Sequence, residues 1–349
     1  MLLTLLLATG IAFGQSFIEA EKLVDEGIID HDKGDFNAAI AKYDKALTLD
    51  KDNLLALSEK AYSLTALQKY EEALAICQQA IATHPGDDKL RMVYVTQGNS
   101  LDALKRPEES IKVYNDGIQQ FPDFYLLYFN KGITLSNNNT ADALVCFEQA
   151  VMLNPNHASS HNAIARLLMD DGKKIAALLA YSRFLTLEPK SRRAEQNFSA
   201  VQQIMKGNVE ERGKDGVTIN LSSDLVNDAT GKGTPKENNF ATPEMILSMA
   251  AALDYDKNFK KMTPVQNFVR KFDAVCSSME EGMKSNTGFF WEYYAPYFVE
   301  MKKREFTVTF ANIAFASSGD SDVSKWLDKN KSEIDKFLEW SKGFQWKAN

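Results

Sequence analysis

Residues with chemical potential are sparse in this sequence, and their spacing decides what they can do. His157 and His161 stand four apart, the spacing at which two imidazoles on one helix face could share a metal. No acidic residue between them completes a zinc-protease motif, and His157 follows Pro155 at a turn, so a structural role is expected for both. Gly231-Lys232-Gly233-Thr234 resembles a phosphate loop only in part. A phosphate loop needs a glycine where Val226 stands and Ser or Thr where Gly233 stands. Cys77, Cys146 and Cys276 are far apart and form no metal pattern. Glu280, Glu281 and Glu292 are available carboxylates, but no nucleophile or base is paired with them in the pattern. The sequence therefore predicts no catalytic residue, no metal site and no cofactor.

Charge narrows the partners. The chain has 349 residues and a net charge of −7, with basic clusters no longer than Lys302-Lys303-Arg304. A phosphate-backbone binder needs a dense cationic face, so no nucleic-acid partner is expected. Residues 1–14 are apolar and end in Ala12 and Gly14, a small-x-small arrangement that predicts a cleaved signal peptide and export to a periplasm or beyond. The run is too short to span a bilayer, so no integral span is expected in the mature chain.

The elements that must position any site follow a repeat. A triplet of small, larger and small residues recurs as Ala39/Tyr43/Ala46, Ala73/Cys77/Ala80, Ser110/Tyr114/Gly117, Ala143/Phe147/Ala150 and Ala177/Tyr181/Phe184. Its successive steps are 34, 37, 33 and 34 residues. A second small residue precedes each triplet: Gly27, Ala61, Gly98, Gly132 and Ala165. Turn material such as Lys33-Gly34-Asp35 and Asp171-Gly172-Lys173 lies between them. Prolines 85, 122, 155 and 189 close four of the blocks, because proline cannot donate the next helical hydrogen bond. Small residues allow two helices to approach, and the larger one fills the space between neighbours. The unit is a helix pair of about 34 residues that must stack to bury its apolar face.

These residues resemble the tetratricopeptide repeat family over about half the chain. The resemblance implies an all-α fold, a right-handed helical solenoid at residues 15–205 ending in a capping helix at Ser191–Met205. It also implies a noncatalytic protein- or peptide-interaction scaffold. In that family ligands lie along the concave surface lined by the first helix of each pair. Carrying this over points to Tyr62, Asn99, Asp102, Phe129, Asn130, Ile133, Asn162, Arg166 and Asp170 as peptide-binding residues. The cationic clamp of chaperone-tail-binding members is absent, because Val95, Ser159 and Ala163 occupy its charged positions while Asn99 and Asn130 match.

Residues 206–241, rich in glycine, read as a linker interrupted by a short strand at Val217–Leu221. A helical C-terminal module is expected over 242–349. Thr242-Pro243 and Thr263-Pro264 predict helix starts. Further helices are expected at Phe290–Arg304, Phe306–Ser317 and Val323–Lys342. The aromatics from Phe289 to Phe298 read as core. With Tyr294-Ala-Pro-Tyr297 and Trp326-Leu327, they loosely resemble a C-terminal extension of some exported bacterial repeat proteins. An enzyme with its site in this module, or an architectural subunit of an envelope complex, are the alternative functions.

Overall fold

The structure, a computed structural model, describes the backbone of residues 2–212, 216–232 and 236–347, with side chains from Ser16 onward. The side chains of the expected export segment, and Gly233 and Thr234 of the glycine-lysine motif, lie outside the described residues. Ten helices form five antiparallel pairs. They are α1 (Leu2–Asp32) with α2 (Phe36–Leu49), α3 (Leu54–Ala66) with α4 (Tyr70–Thr83), and α5 (Leu90–Ala103) with α6 (Pro107–Gln120). α7 (Tyr125–Leu135) with α8 (Thr140–Leu153), and α9 (Ala158–Asp170) with α10 (Lys174–Leu187), complete the set.

The chain divides into two compact units, Met1–Gln149 and Ala150–Asn349. In the first, the small residue of one helix faces the large residue of its mate. A Cβ built on Gly27 would lie 2.4 Å from the Tyr43 ring; on Gly98, 2.3 Å from Tyr114; on Gly132, 2.6 Å from Phe147. Within this unit glycine stands wherever the partner is an aromatic ring. Where the partner is the smaller Cys77, alanine is tolerated at position 61, and both are fully buried. Tyr114 is also held by its hydroxyl, which donates to Asn99 Oδ1 at 2.7 Å. The turns inside the first three pairs each use a left-handed residue. Gly34 supplies it in the first, whereas Gln68 and Lys105 adopt it at φ 60° and 62°.

The division at Gln149/Ala150 does not follow the boundaries expected from composition. α10 explains this. From Ile175 to Thr186 every one of its side chains is buried. A helix covered on every side is an interior element, and here the covered residues include Ser182, Arg183 and Thr186. α10 packs on α9, on α11 (Arg192–Met205) and on helices of the C-terminal region. α11 starts at its Ser191 cap as expected, but Phe198 packs edge-on against Phe315 at 4.5 Å, so α11 is an internal element of this unit.

Residues 206–241 hold a two-stranded antiparallel hairpin, β1 (Val209–Arg212) and β2 (Gly216–Ile219), and the short α12 (Ser223–Ala229). Asn208 fixes their start, accepting from Lys174 Nζ at 2.6 Å and donating to Ser248 Oγ and Glu244 Oε1. A free linker is therefore not what the first part of this segment forms. α13 (Ala241–Ala252) begins before the expected Thr242 cap. Phe240 stacks on Trp291 at 4.2 Å, and Asn239 accepts from the Ala241 amide, which sets the helix start two residues earlier. α14 (Pro264–Gly282) starts as expected, with a Thr263/Gln266 capping box.

The remaining helices are α15 (Phe289–Glu292), α16 (Tyr294–Lys303), α17 (Thr307–Ala314), α18 (Ser321–Lys329) and α19 (Lys331–Gly343). Two of the expected C-terminal helices, Phe290–Arg304 and Val323–Lys342, are thus broken, at Tyr293 and at Asn330. Tyr293 turns out of the helix to donate its hydroxyl to Val151 O at 2.6 Å. Asn330 bonds its side chain back to Trp326 O and competes with the backbone ladder.

Two buried polar groups organise this unit. Arg183 of α10 donates to Tyr297 Oη, Ser341 Oγ, Pro155 O and Asn156 Oδ1, and lies over the rings of Tyr297 and Trp346 at 5.2 and 5.1 Å. His161 of α9 is fully buried, with Nδ1 2.6 Å from Tyr294 Oη and Nε2 3.0 Å from Pro155 O. A carbonyl only accepts, so Nε2 carries the hydrogen and Nδ1 accepts from the tyrosine. Burial first, then the Arg183 charge, pushes the His161 imidazole down to about 3.

Two outcomes follow from this packing. Gly98→Ala gains about 1 kcal/mol of helix propensity but costs about 1–3 kcal/mol in overpacking against a tethered ring. The variant is expected to be less stable in urea, by circular dichroism. Combined with Tyr114→Cys it should cost less than the sum of the two single changes. For His161 the folded value lies below the unfolded 6.5, so the unfolded chain takes up the proton first. Its contribution is complete above pH 6.5 and is lost as pH falls towards 3, about 2 kcal/mol by pH 5. All four tryptophans, Trp291, Trp326, Trp340 and Trp346, lie in the second unit, so their fluorescence reports its unfolding. His161→Gln should flatten the change in stability between pH 7 and pH 5.

Candidate functional site

Within the first unit, successive first helices pack side by side: α1 on α3, α3 on α5, α5 on α7. Hydroxyl bonds tie them together. His31 Nδ1 lies 2.7 Å from Ser63 Oγ, and Thr65 Oγ1 lies 3.1 Å from Ser100 Oγ. Each of these helices also keeps a large apolar side chain in water: Ile29, Tyr62, Met92 and Ile133. These four exposed groups belong to the apolar surface that the first helices of this unit offer to solvent.

Tyr62 is the best-defined of them. Its ring is 49% exposed, yet the His31 imidazole stacks on it at 4.7 Å and 24° between planes. Phe36 braces His31 from the edge at 5.0 Å. An exposed aromatic held from behind loses little freedom on binding, a property of interface anchors. The sequence reading named Tyr62 but missed His31, whose i,i+32 bond to Ser63 has no local signal.

The other candidates in this unit divide by their bonding. Asn99 Oδ1 is engaged by Tyr114, leaving its amide nitrogen for a partner, and Asn130 Nδ2 is turned back to Leu126 O at 2.8 Å, leaving its oxygen. Each can therefore give a peptide one half of its amide. Phe129 is half-buried, with its ring 5.8 Å from Phe147. Asp102 is half-buried at the end of α5, and Ile133 is exposed on α7. In the same unit Glu59 of α3 is half-buried, and burial followed by the nearby Asp32 charge raises its carboxyl above the usual range.

Asn162, Arg166 and Asp170 belong to the second unit. Asn162 Oδ1 accepts from Asn197 Nδ2 at 2.8 Å, and Arg166 and Asp170 are exposed along α9. His157 caps α9 and approaches Ser160 Oγ at 2.7 Å, while His161 is turned inward to Tyr294. The two imidazoles thus engage different partners. Glu280, Glu281 and Glu292 form ion pairs with Lys303, Lys284 and Lys347. The Lys303 hydrogen bond lowers the Glu280 carboxyl, and the Lys347 bond lowers that of Glu292. Of the expected clamp positions, Val95 is buried and Ser159 accepts from Arg193 at 3.0 Å. Among the described residues no helix is long and apolar enough to cross a membrane.

A tetratricopeptide repeat family model matches residues 31–94. The Protein STIP1 homolog of Dictyostelium discoideum is 27% identical over 168 residues, 39% of this chain and 30% of that protein. The Hsp70-Hsp90 organizing protein of Triticum aestivum is 23% identical over 273 residues, 77% of this chain and 45% of that protein. The chain spans less than half the length of these curated relatives. A solved thermophilic tetratricopeptide protein of Thermus thermophilus is 20% identical, covering 52% of this chain and 99% of its own, with a TM-score of 0.46. Paired helices at a period of about 34 residues, small residues seated on their mates and the matching family model identify these helix pairs as tetratricopeptide repeats.

Proposed function

We propose that this chain is a noncatalytic scaffold that holds a protein or peptide along the first helices of its repeats. The observation that supports this most is the exposed, His31-braced Tyr62 among the apolar side chains of α1, α3, α5 and α7. Tyr62 is the anchor, Ile133 and Met92 extend the apolar contact, and Asn99 and Asn130 each offer half an amide to a backbone. Affinity would come from these few groups rather than from total area.

The partner is not a chaperone tail held by a terminal carboxylate. The names of two relatives include Hsp70 and Hsp90, but here Val95, Ser159 and Ala163 leave no cation at the positions a carboxylate clamp would use. We also propose that residues 1–14 direct export. Their apolar run and the Ala12-x-Gly14 ending support this, and N-terminal sequencing of protein from its source cells should begin at Gln15; an intact Met1 refutes it.

A photo-crosslinking amino acid at position 62, expressed in the source organism, should trap a discrete partner. The same group at Val145, exposed on the second helix α8, should not. Tyr62→Ala should weaken capture of that partner by ~10-fold or more without loss of thermal stability. Equal crosslinking from both positions would move the site away from the first helices.

A further inference from the structure

The second unit contains a cavity of about 670 Å³ bounded by the end of α10, the end of α17, α18 and α19. This lies in the range of small-ligand sites, ~300–1,000 Å³. Leu187, Ile313, Leu327, Ile334 and Leu338 make its apolar wall. Ile334 is only half-buried and Leu338 is 40% exposed, although both lie on the helix whose Phe337 and Ser341 are buried. The apolar surface of α19 is thus wider than the part the fold covers.

The charged lining is one-sided. Arg183, Lys190, Lys331 and Lys342 face a single carboxylate, Asp328, in a chain of net charge −7. Among the described residues none of the four cations has a carboxylate within ion-pair distance. Arg183 is the informative one. It is fully buried, its four hydrogen bonds go to neutral oxygens, and its Nε–H has no acceptor. A buried guanidinium is normally paired with an anion, because desolvation costs several kcal/mol that neutral acceptors offset only in part. Among the side chains that accept from Arg183, Asn156 alone is exposed. An entering carboxylate can therefore replace the Asn156 amide oxygen at Nη2 and bring the missing charge.

We propose that this cavity binds a small amphipathic carboxylate of the fatty-acid class. The acyl chain lies along Leu187, Ile313, Leu327, Ile334 and Leu338, and the carboxylate meets Arg183. A peptide fits less well, because its backbone amides would need partners along a wall that offers chiefly apolar atoms. The site is independent of the first-helix surface of the first unit.

The test is calorimetric titration of the full chain with decanoate and with decylamine, which shares the chain length but carries the opposite charge. Decanoate is expected to bind at one site and to raise the melting temperature of the tryptophan-reported transition. Decylamine should bind at least ~10-fold more weakly. Ile334→Glu and Lys342→Glu alter exposed or half-exposed positions and should leave the fold intact, yet each should weaken decanoate by ~10-fold or more. Arg183→Gln, if its fluorescence transition persists, should weaken it further. No heat with decanoate up to millimolar concentration, equal binding of decylamine, or unchanged affinity in both glutamate variants would each overturn the proposal. Binding of an apolar peptide that depends on Ile334, with none of decanoate, would assign the cavity to a protein partner and overturn it equally.

Discussion

A buried guanidinium without a counter-charge ties together several elements of the second compact unit. Arg183 reaches Pro155 and Asn156 before α9, Tyr297 in α16, Ser341 in α19 and Trp346 beyond α19. Hydrogen bonds to a charged donor contribute about 1.5–3 kcal/mol each, and an aromatic face adds about 0.5–2 kcal/mol. Those contributions offset part of the burial cost, and they link the fifth helix pair to the C-terminal helices. The same charge bears on His161, which stays neutral because burial and Arg183 both oppose its protonation.

The first unit is governed by a different constraint, the distance between helix axes. Glycine at positions 27, 98 and 132 lets a ring from the next helix sit where a methyl group would be. The close approach keeps successive first helices in contact, and the surface they share retains apolar groups in water. The exposed apolar groups of this unit thus recur with the repeat. In the second unit the repeat is absorbed into a conventional core, and its distinctive feature is a cavity.

The relation between local bonding and availability matters for the candidate residues. Asparagine at position 99 has both a donor and an acceptor to offer, yet Tyr114 engages its oxygen as part of the interlock. Asn130 is similarly half-engaged by its own helix. Tyr62 keeps its contact face, because the group that supports it, His31, stacks against the ring from one side. A residue type shows what contacts are possible, and neighbours decide how many remain open.

The sequence by itself determined the helix pairs, their period, the small residues at the crossings and the burial of the aromatics from Phe290 to Phe298. These are legible because they depend on contacts a few residues apart or on one period repeated. That every side chain from Ile175 to Thr186 is buried, Arg183 included, came only from the structure. Only the tertiary structure decided that α10 is shared between repeat and C-terminal core, that long helices break at Tyr293 and Asn330, and that His31 supports Tyr62. It alone brought Arg183 beside Ser341, 158 residues away. Each of these rests on partners distant in the chain, whose pairing is chosen by packing and leaves no periodic trace in the sequence.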